Sequence, residues 1–440
     1  MRIKTIKLKD FKRFNNLTLN LEDHPKKIIA LVGPNGSGKS SVFDGIEQFS
    51  TNEREKKRGL SFRKKASYLK KSLFQLMGIA EEEYYAHDHV SIESDQTEYL
   101  PTSFYLRSAH RFTPRIEVKQ IRALSNIEED ENRPKYLADI DSRLEENYER
   151  LIGSFFSEVY NKEITGKQWA QQNIDNLNKS LNGILEISIV SLGNPTTEKG
   201  SLYFQKGTST LFPYENLSSG EKEVVDLVLD LYIKRDFYSN TVICIDEPEL
   251  HLNTSIQRKL LVEIEKIIPD TCQLWVATHS IGFLRALQEE LKGSMAVIDF
   301  SGHNFDEAIT LKPINGDRKD WVRIFETALE DLTGLLAPRT IIYCEGRPDA
   351  SAQGSEQGLD ADIYNDIFAN KYSDVLFVSS GGGNAVNKNA LLALKILKKA
   401  FNKVNLFILK DKDGLSDTER DAFIKADTSN KMLSRHEIEN

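Results

Sequence analysis

The stretch Gly33–Ser40, GPNGSGKS, constrains the fold of this chain more than any other feature. It follows the apolar run IIALV and precedes a segment of helical periodicity, and it matches G-x-x-x-x-G-K-S without a mismatch. In such a loop Gly33, Gly36 and Gly38 let the backbone curl until its N–H groups point at phosphate oxygens, with Asn35, Ser37 and Ser41 in the same cradle. Lys39 adds a cation at the β and γ phosphates, and the Ser40 hydroxyl is a Mg²⁺ ligand. A strand that enters such a loop and a helix that leaves it belong to an α/β fold with a parallel sheet, and the bound molecule is a nucleoside triphosphate.

Further along, TVICIDEPELHL runs four β-branched or apolar residues into Asp246 and Glu247. A strand buried on both faces reads this way, and its C-terminal edge is where ligands of open α/β sheets lie. There Asp246 is expected to hold Mg²⁺ through water and Glu247 to polarise the attacking water. A third such strand, LWVATHS, ends in His279, in reach of a γ-phosphate. Between these motifs, ENLSSGEKEVVDLVLDLY opens a helix at Ser218, Ser219 and Gly220. Its start is a good N-cap, and it is also an anion-binding helix terminus suited to the phosphates of a nucleotide held by another subunit.

Phosphate loop, LSSGE, CIDEPELHL and ATHS, in this order, resemble the ATP-binding-cassette ATPases of the SMC/RecF kind, and in particular the AAA-like ATPases of the overcoming-lysogenisation-defect (OLD) nucleases and related phage-defence systems. The opening IKTIKLKDFKRF is similar to the first hairpin of that family. The resemblance covers about residues 1–300 and implies a nucleotide sandwich, in which Lys39, Ser40, Asp246, Glu247 and His279 of one subunit face Ser218 and Gly220 of another. The family's Gln loop has no clear counterpart, because Gln48 lies too close to the phosphate loop.

The 440 residues exceed what one core serves, so roughly two or three domains are expected. No apolar window of about 18 residues and no signal-peptide pattern is seen, so a cytoplasmic protein with no membrane partner is expected. Cys244, Cys272 and Cys344 lie in apolar runs without C-x-x-C spacing and read as buried thiols. The net charge of −8 gives no global attraction to nucleic acid, so such contact falls to local basic patches. One is Arg54–Lys71, nine Lys or Arg against one Glu, which is a solvated face or a phosphate-backbone or protein contact. The ATPase domain is expected over 1–50 and 200–310, with a mainly helical insert over 51–199 in which glycines and prolines preclude a long coiled coil. Within it Arg107, Arg111 and Arg115 either line a nucleotide or nucleic-acid surface or pair with the acids of IEEDENR.

A helical linker over 311–337 leads to a second alternation of strands and helices over 338–440: RTIIYCEG, DVLFVSS and VNLFILKDKDG as strands of a small parallel sheet. Glu345 ends the first, Asp411 and Asp413 the third, and in a parallel sheet those ends share an edge, where a few carboxylates suit Mg²⁺. The Glu-Gly and Asp-x-Asp pair resembles the TOPRIM fold of topoisomerases, primases and OLD nucleases. That resemblance implies metal binding by Glu345, Asp349, Asp411, Asp413 and Glu437 or Glu439, with Mn²⁺ as an alternative ion. The chain ends at EIEN directly after that acid, so the expectation is either that final elements are missing or that the domain is trimmed. The expectation is an ABC-type ATPase with a TOPRIM-like domain, dimeric or higher through ATP sandwiches, acting in anti-phage defence as a nucleotide-gated nuclease on DNA or RNA. The rival is an ATPase sensor or scaffold that clamps a separate toxin or nucleic-acid-bearing partner of a defence operon; a DNA-repair ATPase is a third.

Overall fold

The structure is a computed structural model that describes all residues except 23–24, 60–88, 112, 114, 117, 119–126, 128–139, 142, 163, 195–199, 318–319, 322, 326, 329–339, 345–358, 369–371, 373–374, 380–404, 413 and 435–440. The chain divides into two units, Met1–Ala328 and Leu329–Asn440.

The first unit opens with strands β1 (Ile3–Phe11) and β2 (Phe14–Asn20), an antiparallel pair whose alternate residues Ile6, Leu8, Leu17 and Leu19 are buried. Strand β3 (Ile28–Val32) then leads through the glycine loop into helix α1 (Lys39–Lys57). Strands β4 (Val90–Ser94) and β5 (Phe104–Arg107) follow, then helices α2 (Leu144–Asn161) and α3 (Gly166–Leu185), which meet through an edge-to-face Phe155–Trp169 contact with ring centroids 5.1 Å apart. A three-stranded antiparallel sheet of β6 (Ser188–Ser191), β7 (Tyr203–Lys206) and β8 (Ser209–Pro213) precedes helix α4 (Ser219–Lys234). The unit is completed by β9 (Val242–Asp246), α5 (Thr254–Ile267), β10 (Gln273–Thr278), α6 (Ile281–Glu289), β11 (Met295–Asp299) and β12 (Ala308–Leu311).

The central sheet is parallel throughout, in the order β11-β3-β10-β9-β5. Its strands are continuous apolar runs because both faces are covered, and successive side chains go to opposite cores. Ile28, Ala30 and Val32 join Leu227, Val228 and Leu260 on the α4 and α5 side, whereas Ile29 and Leu31 join Val42, Phe43 and Ile46 of α1. The second core is closed by the sheet β12-β2-β1-β4. Each such fully buried Leu, Ile or Phe contributes roughly 1.5–3 kcal/mol, so both faces are firmly held. Strands β4 and β5 of these two sheets arise within 51–199, the interval expected to be a mainly helical insert, alongside its long helices α2 and α3. Trp321 and Ile324, from the expected linker, are buried in the α4-side core.

The second unit holds a parallel sheet in the order β14-β13-β15-β16, formed by β13 (Thr340–Cys344), β14 (Val375–Ser379), β15 (Asn405–Lys410) and β16 (Asn430–Met432), with helices α7 (Leu359–Phe368) and α8 (Asp417–Ala426). Tyr364 of α7 stacks on Phe377 of β14 at 5.0 Å. The three expected strands are present, and β16, too short to show an apolar run, extends the sheet. All three cysteines are buried, and none is in a disulfide. Among the described residues no helix is long and apolar enough to cross a membrane.

Candidate active site

Three neighbouring strands of the central sheet deliver the motifs to one edge. Strands β3, β10 and β9 lie side by side and parallel, with Thr278 in register with Val32 and Ala277 with Asp246, so the glycine loop, the acids and His279 leave the sheet together. Glycine is required where the loop turns. Gly38 has φ 103° and a Cβ there would lie 2.8 Å from the Phe14 ring, while at Gly33 (φ 149°) it would lie 3.0 Å from Phe300 Cβ. Lys39 is buried, and its ammonium donates to the carbonyls of Gly33 at 2.7 Å and Pro34 at 3.0 Å. Ser41 N–H donates to Gly38 O at 3.0 Å and Ser37 N–H to Pro34 O at 3.2 Å, which sets the first turn of α1; Asn35 and Gly36 stand at the exposed tip of the loop.

The Ser40 hydroxyl donates to Asp246 Oδ1 at 3.0 Å. Burial pushes the Asp246 carboxyl up to about 7; the Ser40 hydrogen bond opposes this and the Glu247 charge adds to it. A buried carboxylate held back from ionising is the partner a divalent cation relieves, and one hydroxyl with one carboxylate is a donor set that suits Mg²⁺, which keeps several waters and takes substrate phosphate oxygens. Among the described residues no group of three or more His, Cys, Asp and Glu side chains converges as a metal centre of its own.

Glu247 is half-buried and has φ 42°, a left-handed conformation that is uncommon outside glycine and marks a held turn. Its N–H donates to Ala277 O at 3.0 Å. His279 begins the turn after β10, where Glu249, fully buried, accepts from Thr278 Oγ1 at 2.5 Å and from His279 N–H at 3.1 Å. The same Glu249 oxygen lies 3.7 Å from His279 Nδ1. Burial raises the Glu249 carboxyl above the usual carboxylate range, with the Thr278 hydrogen bond opposing it. Glu249 orients the segment that carries His279, and the sequence reading passed over it.

Ser218 caps α4 in a reciprocal box with Glu221, and Lys206 holds Glu221 at 2.7 Å. Ser218 and Ser219 are exposed. Gly220 packs on the chain that follows the acids: a Cβ there would lie 2.7 Å from the His251 carbonyl. Gln48 is buried in α1 and donates to Asn52 at 2.9 Å, so it supplies no Gln loop.

Two of the three arginines resolve differently from either expectation. Arg107 is fully buried, paired with Asp141 at 2.6 Å, Asp230 at 2.6 Å and Asp226, and Arg111 is buried against Glu223 at 2.5 Å. They line no surface, and the acids they meet lie outside IEEDENR; Arg115 is exposed. The cause lies in α4, whose Glu223, Asp226 and Asp230 recur at helical spacing on a buried side and demand cations. That acid stripe within an apolar helix is the signal that marks the arginines as internal. Arg13 was also overlooked: it bonds the Gly36 carbonyl and lies over the Phe305 ring at 4.9 Å from its centroid, bracing the glycine loop from the β1–β2 hairpin.

In the second unit Asp411 directly follows β15, which pairs in parallel with β13. Glu345, Asp349, Asp413, Glu437 and Glu439 lie outside the described residues.

A five-stranded parallel sheet with a phosphate loop after one strand and Asp-Glu after its second neighbour defines a P-loop domain. The family described as "AAA domain, putative AbiEii toxin, Type IV TA system" matches residues 28–285, well over half of the chain, and the chain belongs to that family. The chromosome partition protein Smc of Methanocaldococcus jannaschii is 50% identical over 44 residues, 10% of this chain, and the chain spans only 4% of that protein's length. Among solved structures, the Smc head domain of Pyrococcus furiosus with an extended coiled coil, bound to the C-terminal domain of ScpA, is 14% identical with a TM-score of 0.40, over 74% of this chain and 98% of that one. The SMC head domain from Thermotoga maritima is 16% identical with a TM-score of 0.33, over 72% of this chain and 100% of that one.

Proposed function

We propose that the first unit binds and hydrolyses ATP with Mg²⁺. The observation that carries this reading is the 3.0 Å hydrogen bond between Ser40 of the glycine loop and the buried Asp246, two residues 206 positions apart in sequence that form one cation-binding corner. Ser40 and Asp246 would hold the cation, whose chemistry there is to neutralise charge on the phosphate oxygens. Lys39 supplies a second positive charge, the backbone N–H groups from Gly33 to Ser41 orient the phosphates, Glu247 takes the proton of the attacking water, and His279 stands at the γ-phosphate. The Ser218–Gly220 turn, with Ser218 and Ser219 exposed, completes the site of a second copy, so the working form is a homodimer or higher oligomer closed by ATP.

The role of this ATPase is anti-phage defence in the cytoplasm. The family description, which names a toxin of a toxin–antitoxin system, agrees with such a role. In the second unit the acid after β15, at the edge of a parallel sheet, supports a TOPRIM-like, OLD-type nuclease that Glu345, Asp349, Asp411, Asp413 and Glu437 would supply with Mg²⁺ or Mn²⁺, acting on nucleic acid under nucleotide control.

The test separates binding from chemistry. Lys39→Ala is expected to abolish ATP binding, because it removes ground-state charge at the phosphates. Glu247→Gln is expected to bind ATP as the wild type does and to hydrolyse it about 10²–10⁴-fold more slowly. Calorimetric titration and steady-state phosphate release measure the two, and equal ATP affinity of wild type and Lys39→Ala would sink the reading.

A further inference from the structure

Arg111 lies outside the phosphate-loop, Asp-Glu and Ser-Ser-Gly motifs. It follows β5, the strand beside β9, and its side chain is fully buried. The guanidinium divides its donors between two elements. Nε donates to Glu223 Oε1 of α4 at 2.5 Å, Nη1 to the Asp246 carbonyl at 2.8 Å, and Nη2 to the Glu247 carbonyl at 3.0 Å. Nη1 also donates to the Ser108 carbonyl. The two strand-end carbonyls belong to the residues that the proposed chemistry uses, and the second of them carries the left-handed φ of 42°. A second contact runs the same way, since Gly220 in the first turn of α4 lies against the His251 carbonyl, just past the same turn.

We infer that Arg111 is a positioning residue for ATP hydrolysis: it fastens the Asp246–Glu247 turn to α4 through Glu223, so that the helix presented to a second copy's nucleotide and the residue that takes the proton move as one. The inference rests on the ATPase reading above. Stability alone is a poor explanation for the arrangement. A buried ion pair seldom outperforms apolar packing, and burial pushes the Glu223 carboxyl up to about 7 even with Arg111 beside it. Geometry explains the residue type, because a planar fork reaches a carboxylate and several carbonyls at once while a lysine ammonium has a single point of attachment. With one carbonyl released, the Glu247 backbone relaxes from its left-handed conformation, and the carboxylate shifts relative to the water it must meet.

The experiment uses the full chain and five forms: wild type, Glu247→Gln, Arg111→Lys, Glu223→Gln and the Arg111→Lys/Glu223→Gln double variant. Affinity for a fluorescent ATP analogue with Mg²⁺, kcat, KM and thermal unfolding are measured on each. Arg111→Lys is expected to keep its nucleotide affinity within about threefold while kcat falls about tenfold or more, since displacement of a catalytic group by about 1 Å costs rate rather than binding. Glu223→Gln is expected to lower kcat in the same sense, and the double variant to be little worse than Arg111→Lys alone. A purely structural role predicts a lower unfolding temperature with unchanged kcat per nucleotide-binding site, and that result overturns the inference. If Arg111→Lys does not fold, Glu223→Gln decides by the same split between kcat and affinity. Wild type that hydrolyses no ATP removes the underlying reading and this inference with it, whereas a wild type that exceeds Glu247→Gln beside an unaffected Arg111→Lys removes the inference alone.

Discussion

Residues at the phosphate corner are chosen for charge, and their environment makes that charge conditional. Asp246 is buried beside Ser40 with its carboxyl raised to about 7, above the ordinary value of about 3.9. For a folded-state value above the unfolded one, the contribution to stability is fully present below about pH 4 and is lost as pH rises through about 7. In metal-free protein, Asp246→Asn removes this pH-dependent penalty. The variant is therefore expected to gain stability over wild type between pH 5 and pH 8, by an amount on the order of a few kcal/mol. Denaturant unfolding in EDTA at the two pH values reads the difference, and parallel curves for the two proteins would contradict it. Adding Mg²⁺ at pH 8 is expected to raise the unfolding temperature of wild type and to leave Asp246→Asn nearly unmoved.

Helix α4 shows how one element carries two sets of demands. Its sequence reads as an apolar helix with a capped, anion-ready start, and the observed cap at Ser218 with Glu221 agrees. The reading of Gly220 as a phosphate contact alone omits its packing: a Cβ would stand 2.7 Å from the His251 carbonyl, a backbone atom with little room to yield. Gly220→Ala is therefore expected to destabilise the isolated chain by roughly 1–3 kcal/mol without any nucleotide present. Calorimetry on the apo protein checks it, and an unchanged unfolding temperature would show that the turn after β9 adapts freely. The buried acids Glu223, Asp226 and Asp230 were written in the helix, yet their partners Arg111 and Arg107 were identifiable only once β5 was seen to lie beside β9.

At the level of the molecule, the Ser218–Gly220 turn and the glycine loop are proposed to meet across two copies. A test of that arrangement avoids Gly220, whose substitution disturbs packing, and uses the exposed Ser219. Ser219→Glu places a negative charge that favours the helix start and repels a phosphate. Mixing Lys39→Ala with Ser219→Glu is expected to restore one complete site per mixed dimer, with ATPase activity recovering towards about a quarter of wild type at equal amounts, since about half of the dimers are then mixed. Activity that stays at the level of the separate variants across all ratios would count against the shared site. For the second unit, Asp411→Ala is expected to remove metal-dependent cleavage of nucleic acid while ATP hydrolysis stays close to wild type, because the two acidic groups end different sheets in different units. Should Asp411→Ala and wild type share both their cleavage assay and their metal-induced thermal shift, the C-terminal unit is a docking module and the scaffold reading takes its place.

What the sequence determined by itself was local chemistry whose spacing is short: the glycine loop, the helix cap at Ser218, the apolar strands ending in Asp246, His279 and Asp411, and the parallel character that such runs impose. These signals survive because each depends on neighbours within a few residues. Only the tertiary structure decided what faces what. It brought Ser40 to Asp246, drew β5 out of the presumed insert to the edge of the central sheet, buried Arg107 and Arg111 against the acids of α4, and set Glu249 under His279. Charged residues were the hardest to place, because a charge run in sequence looks alike whether it meets water or a partner. The free energy that separates those outcomes comes from burial, which the order of residues along the chain does not display.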